Sequence, residues 1–194
     1  SVPSGSKATP TIVGGRAYIA DQQGAVHVFD LDSGASVAQI STGMSQPVAH
    51  APAVGSNHLV FVGRRGTVSA INSDTNTVAW EQELPGGAGS FTDPVMGDGV
   101  VYVRARNELS AYDLRSGETI FGPISHVATD PALITTVRPG DTGETEVLVA
   151  GFEDRSVRLL DPDTGDTVAR LSAPAVPMAT AVPTGTGREI VLGL

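Results

Sequence analysis

The 194-residue sequence has no cysteine, one lysine (Lys7) and one tryptophan (Trp80). Without cysteine there is no disulfide framework, thiol nucleophile or thiolate metal site, and either redox compartment is compatible. A net charge of −9 argues against a general nucleic-acid or anionic-membrane binder, because neutralising phosphates needs concentrated Lys and Arg. No stretch approaches the roughly 18 consecutive apolar residues of a membrane helix. The opening "SVPSGSKATP" lacks the charged-then-apolar pattern of a signal peptide. It also lacks an initiator Met, and "REIVLGL" stops inside an apolar run, so the expectation is a segment of a longer protein. Finally, 23 Gly and 13 Pro leave little room for long helices, since both residues break them.

What is present is a repeat. The corners "VFDLDSGASVA", "AINSDTNTVAW", "AYDLRSGETIF" and "LLDPDTGDTVA" place Asp30, Asn72, Asp113 and Asp161 at intervals of 42, 41 and 48 residues. Pro10, Pro52, Pro94 and Pro131 each open an apolar run at nearly the same period. A fixed period of 20 to 50 residues marks a solenoid, propeller or array. Within the second unit, "APAVGSN", "HLVFVGRRG", "TVSAINSDTN" and "TVAWEQELPGG" are four short β-rich runs separated by turn residues. Four strands per repeat predict the blade of a β-propeller. The fold class is therefore all-β, with antiparallel four-stranded blades at about 9–43, 50–86, 92–125 and 129–173. Residues 180–194 supply part of a fifth, and 1–194 form one propeller segment of a larger ring. The longer fourth unit carries "TTVRPGDTGETE" as an enlarged hairpin between its first two strands.

The corner has a local reason. Asp or Asn at the end of the third strand accepts hydrogen bonds from backbone N–H groups just ahead. Four residues later, Gly34, Asn76, Gly117 and Gly165 supply the positive φ of a tight turn.

On these residues the repeat resembles the pyrroloquinoline-quinone-like β-propeller blade, whose hallmark runs A-x-D-x-x-T-G-x-x-x-W. "AINSDTNTVAW" follows it with Asn for Asp and for Gly, and "AYDLRSGETIF" puts Phe121 in the tryptophan place. Ala38 and Ala169 stand there in the first and fourth units. The resemblance implies an inter-blade packing role for Trp80. It also implies a bacterial, extracytoplasmic setting, as for the lipoprotein of the outer-membrane assembly machine and the propellers attached to membrane-bound Ser/Thr kinases.

Quinoprotein dehydrogenases are similar in blade pattern but add a cofactor-stacking tryptophan, calcium ligands, a catalytic Asp and usually a vicinal disulfide. With no cysteine and its one tryptophan in the packing place, the sequence points away from an enzyme and from any cofactor. "DLDSG" and "DPDTGD" look like fragments of calcium loops. Calcium needs six to eight oxygens, however, and turn formation accounts for all four copies where a metal accounts for one. His27, His50, His58 and His126 lack ligand-like spacing, so no zinc is implied. His27 shares a register with Ser69, Ser110 and Arg158 and should face a polar layer or solvent. No catalytic triad can be assembled from residues that occur throughout the turns, and "GTGREIVLGL" lacks the lysine of a phosphate loop.

One charge pattern stands apart. The turns between second and third strands read "DQQG", "RRG", "RARN" and "EDR", and in a propeller they emerge on the face that also carries the blade-to-blade connections. Arg64, Arg65, Arg104, Arg106 and Arg155 then share a rim with His50, Phe91 and His126. This rim is the candidate site for a protein partner or an anionic ligand, since Arg forks grip carboxylates and phosphates. The plainer account is solvated Arg at exposed hairpin tips. Four and a half blades cannot close a ring alone, so further blades or a second copy are expected to complete it. The expected function is a non-catalytic binding or scaffold module. The alternatives are a quinone-dependent dehydrogenase fragment and a purely structural repeat.

Overall fold

The computed structural model describes residues 5–6, 8–44, 52–84, 93–137, 144–177, 182–183 and 190–191. Among them the regular structure is all β. The first sheet holds β1 (Thr11–Val13), β2 (Arg16–Ala20), β3 (Val26–Asp30) and β4 (Ser36–Ile40), and the second β5 (Ala53–Gly55), β6 (His58–Val62), β7 (Thr67–Asn72) and β8 (Thr77–Glu83). The third holds β9 (Val95–Met96), β10 (Val100–Ala105), β11 (Glu108–Asp113) and β12 (Thr119–Ile124). The fourth holds β13 (Ala132–Val137), β14 (Glu144–Phe152), β15 (Ser156–Leu160) and β16 (Thr167–Ser172). Each is an antiparallel meander in chain order, and β17 (Val182–Pro183) pairs with β18 (Ile190–Val191). Strand β5 lies against β9 and β9 against β13. The first strands of the second, third and fourth sheets therefore lie side by side at one edge of their sheets, as the inner strands of propeller blades do.

The two-residue period divides the second strands of the two middle blades between two neighbours. On β6, Leu59 and Phe61 pack with Tyr18, Ala20, Val26 and Val28 of the first blade, whereas Val60 and Val62 pack with Val101 and Val103 of the third. On β10, Tyr102 turns instead to Leu148, Ala150 and Phe152 of the fourth blade. A strand covered on both faces reads as a continuous apolar run, and every residue of β6 is buried. Burying a Phe61-sized side chain contributes roughly 1.5–3 kcal/mol, so each interface is a substantial core.

The corners fold as their chemistry dictates. Asp30 Oδ1 accepts from Ser33 N, Asn72 Oδ1 from Asp74 N and Thr75 N, Asp113 Oδ1 from Arg115 N and Ser116 N, and Asp161 Oδ1 from Asp163 N and Thr164 N. Gly34, Asn76, Gly117 and Gly165 take φ of 68°, 54°, 73° and 75°, the left-handed region that favours Gly and Asn.

Beside every corner the pairing of third and fourth strands slips by one residue. Val28 pairs with Ala38 but Phe29 with Ser36, Ala70 with Trp80 but Ile71 with Val78, and Leu159 with Ala169 but Leu160 with Thr167. The third blade does the same between Ala111–Phe121 and Tyr112–Thr119. The skipped residues are Val37, Ala79, Ile120 and Val168, all exposed, and each bulge re-aims the residue after it. In the second and third blades that residue, Trp80 or Phe121, packs on the next blade: a Cβ on Gly117 would stand 2.6 Å from Trp80, and one on Gly165 would stand 2.7 Å from Phe121.

The missing tryptophans have a compensation. Trp80 Nε1 donates to the Leu114 carbonyl at 2.8 Å, the residue after the Asp113 corner. Between the first and second blades, where Ala38 replaces tryptophan, Tyr18 Oη donates at 3.2 Å to the equivalent carbonyl of Ser73. Between the third and fourth, where Phe121 has no N–H, Tyr102 Oη donates to Pro162 O at 3.0 Å. Tyr18, Val60 and Tyr102 occupy one register position, paired with Val28, Ala70 and Ala111. Apolar Val60 falls in the blade that owns the indole.

Candidate functional site

The second-to-third-strand turns and the blade connections do share a face. Leu84 N donates to Gly66 O at 2.7 Å and Ala173 N to Arg155 O at 2.8 Å, so the ends of β8 and β16 close on their own blades' turns. The connection after β12 spans two blades, with Val127 N on Asn107 O at 2.9 Å and Ala128 N on Gly151 O at 2.8 Å. Residues 41–44 tuck under the first turn, where Gly24 (φ 89°) lies so close that a Cβ would overlap the Met44 carbonyl.

The first turn is organised by a carboxylate. Asp21 Oδ1 accepts from Gln23 N at 2.8 Å and Ala25 N at 3.0 Å, while Oδ2 meets His27 Nε2 at 2.9 Å. Both side chains are buried, so of the two environments expected for His27 the structure selects the polar layer. Burial pushes the Asp21 carboxyl up, but the His27 contact and the two backbone donors together hold it below its ordinary range.

At the second turn Gly63 N bonds Thr67 O at 2.8 Å and Gly66 takes a φ of 98°, leaving Arg64 and Arg65 at the exposed tip. At the third, the Arg104 guanidinium reaches Asp130 Oδ1 from Nε at 3.1 Å and from Nη2 at 2.8 Å, and also bonds the Arg106 carbonyl. Its side chain is only 13% exposed. Arg106 is exposed with φ 55°. At the fourth turn Arg155 is exposed with φ 59°. His126 Nδ1 meets Glu153 Oε2 at 2.9 Å, and Asn107 Nδ2 reaches the other oxygen at 3.4 Å. The His126 bond is the chief reason the Glu153 carboxyl titrates below its ordinary range.

Asp154 gathers Ser156 Oγ and the guanidinium groups of Arg158 and Arg170, at 2.7 and 2.8 Å. The Ser156 bond first and then Arg158 hold its carboxyl at about 2. Arg158 also stacks on the Phe152 ring, 3.8 Å from its centroid.

The rim expected from sequence thus divides. Arg64, Arg65 and Arg155 present guanidinium groups with no side-chain hydrogen bond or ion pair among the described residues, whereas Arg104 is committed to Asp130. His126 belongs to a Glu153–Asn107 cluster joining two blades. His50 and Phe91 lie outside the described residues. Sequence reading missed the carboxylates Asp21, Asp130, Glu153 and Asp154, which look like ordinary loop acids. Their only signal was proximity to the same turns.

A family model described as outer membrane protein assembly factor BamB matches residues 22–185. A curated outer membrane protein assembly factor BamB from Francisella salina is 24% identical over 126 residues, covering 60% of this chain and 23% of that protein. The chain thus spans about a quarter of that relative's length. Among solved structures, BamB from Moraxella catarrhalis superposes with a TM-score of 0.53 at 18% identity, over 94% of this chain and 66% of the other. The quinohemoprotein alcohol dehydrogenase from Comamonas testosteroni gives a TM-score of 0.63 at 18% identity, over 97% and 39%. At such identities these likenesses concern the fold alone.

Proposed function

Because the chain belongs to the family described as outer membrane protein assembly factor BamB, we propose that it is a non-catalytic propeller that captures a protein partner in the bacterial cell envelope. The setting is extracytoplasmic, and the contact surface is the turn face of Arg64, Arg65, Arg106 and Arg155 with His126. The described strands form part of a larger ring whose remaining blades come from elsewhere in the parent protein or from a second copy.

The observation that carries the reading is the exposure of Arg64, Arg65 and Arg155 without side-chain partners among the described residues, on a protein of net charge −9. Uncommitted guanidinium groups on a rigid scaffold fit an acidic partner surface at little ordering cost. Joint Arg64→Ser, Arg65→Ser and Arg155→Ser substitution should reduce capture of the partner from solubilised bacterial envelopes, with a nearly unchanged melting temperature. Undiminished capture would remove the rim from the account.

The dehydrogenase-fragment alternative has the fold likeness in its favour. Against it, Trp80 is wedged between blades with its N–H spent on Leu114 O, so its ring is not offered to a cofactor. Adding pyrroloquinoline quinone with Ca²⁺ should leave the quinone spectrum unshifted, and a red shift would favour the alternative.

A further inference from the structure

The opposite face carries a cleft of about 240 Å³ between the second and third blades, lined by Ser56, Asn57, His58, Asp98, Asp113 and Arg115 among others. His58 is 6% exposed and its Nδ1 has no hydrogen-bond partner, the single such buried side-chain atom among the described residues. A buried polar group without a partner has lost its hydration with nothing in return and therefore calls for an explanation.

The repeat explains how it arose. His58, opposite Asn72, stands where the first blade has Arg16, opposite Asp30. Arg16 Nη1 satisfies itself on the Ser73 carbonyl of the next blade, at 3.2 Å. The corresponding carbonyl of the third blade, Leu114 O, accepts from Trp80; the shorter imidazole at position 58 makes no such cross-blade bond, and its Nδ1 stays without a partner. Arg115, one residue beyond Leu114, is exposed and has no side-chain hydrogen bond or ion pair among the described residues.

We propose that this cleft binds a small carboxylate, held between the Arg115 guanidinium and the His58 imidazole. The guanidinium supplies the paired donors that match a carboxylate, and a ring N–H supplies a third. Two neighbouring acids keep their charge but already accept hydrogen bonds. Asp113 is occupied by Arg115 N, Ser116 N and Ser116 Oγ, and Asp74 by Asn57 Nδ2 at 3.0 Å. Asp98 also lines the cleft, exposed and without a hydrogen bond or ion pair among the described residues, so its charge opposes the anion directly and removing it should strengthen binding.

Burial first, and then Arg115, hold the His58 imidazole below its ordinary range, with Asp74 opposing them. A carboxylate seated against Arg115 offsets that repulsion, so binding carries proton uptake and tightens as pH falls into the lowered range of His58.

The test follows the His58 ring by ¹⁵N NMR during sodium acetate titration at constant ionic strength, and with Gly-Gly-Ala bearing a free or an amidated C-terminus. A saturable acetate shift with a raised His58 pKa, weakened roughly tenfold in Arg115→Gln and strengthened in Asp98→Asn, supports a free carboxylate as ligand. A response confined to the unblocked peptide supports a peptide terminus. Shifts equalled by chloride, unchanged in Arg115→Gln, equal for both peptides, or absent throughout would overturn the site. It is independent of the rim, and Arg64 and Arg65 substitutions should leave it unaffected.

Discussion

The indole of Trp80 lies over Gly117 of the next blade, so close that a Cβ there would stand 2.6 Å from Cδ2, while its N–H bonds Leu114 O. Tyr112 completes the contact with ring centroids 6.3 Å apart. Ring burial, glycine clearance and a hydrogen bond are thereby joined in one interface.

Trp80→Ala should cost about 3–5 kcal/mol in chemical denaturation, from lost burial and the cavity left behind. A loss under 1 kcal/mol would show that the ring is not wedged between blades.

Gly117→Ala should destabilise by about 1–3 kcal/mol, through overpacking against the indole and the strain of a side chain at φ 73°. In the double variant with Trp80→Ala the steric part disappears. The two losses should then sum to more than the loss in the double variant, and strict additivity would argue against the contact.

Tyr18→Phe and Tyr102→Phe should each cost about 0.5–1.5 kcal/mol, the net worth of one hydrogen bond. Tyr112→Phe tests whether that loss belongs to the donors rather than to any buried tyrosine, since Tyr112 gives no cross-blade bond to a corner carbonyl and should lose less. Equal losses at all three would count against the donor exchange.

The Asp21 carboxyl is held below its unfolded value. Its contribution is present above about pH 4 and is lost as pH falls through the folded value. Asp21→Asn should therefore flatten the fall of stability with acid below pH 4, measured by denaturation at successive pH values. An unchanged acid limb would remove Asp21 as its source.

Arg104→Ala should lower stability by about 1 kcal/mol because it frees a half-buried Asp130 pair, while Arg64→Ala should stay within about 0.5 kcal/mol. Equal effects would mean that the two arginines sit in the same surroundings.

By itself the sequence determined what depends on neighbours along the chain. A carboxylate at Asp30 or Asp113 reaches N–H groups two or three residues on, and Gly34 or Gly117 turns the backbone within the same corner. Together with the recurrence, those contacts made the four-stranded blade and the place of Trp80 readable. Tertiary structure decided what depends on a residue 26 to 60 positions away. It showed which of Tyr18, Trp80 and Tyr102 gives the cross-blade hydrogen bond, that Asp130 takes Arg104 from the rim, and that His58 is left unpaired over a cleft. Such outcomes turn on angstrom-scale approach between blades, because a hydrogen bond forms or fails over less than one ångström, and residue spacing carries no record of that distance.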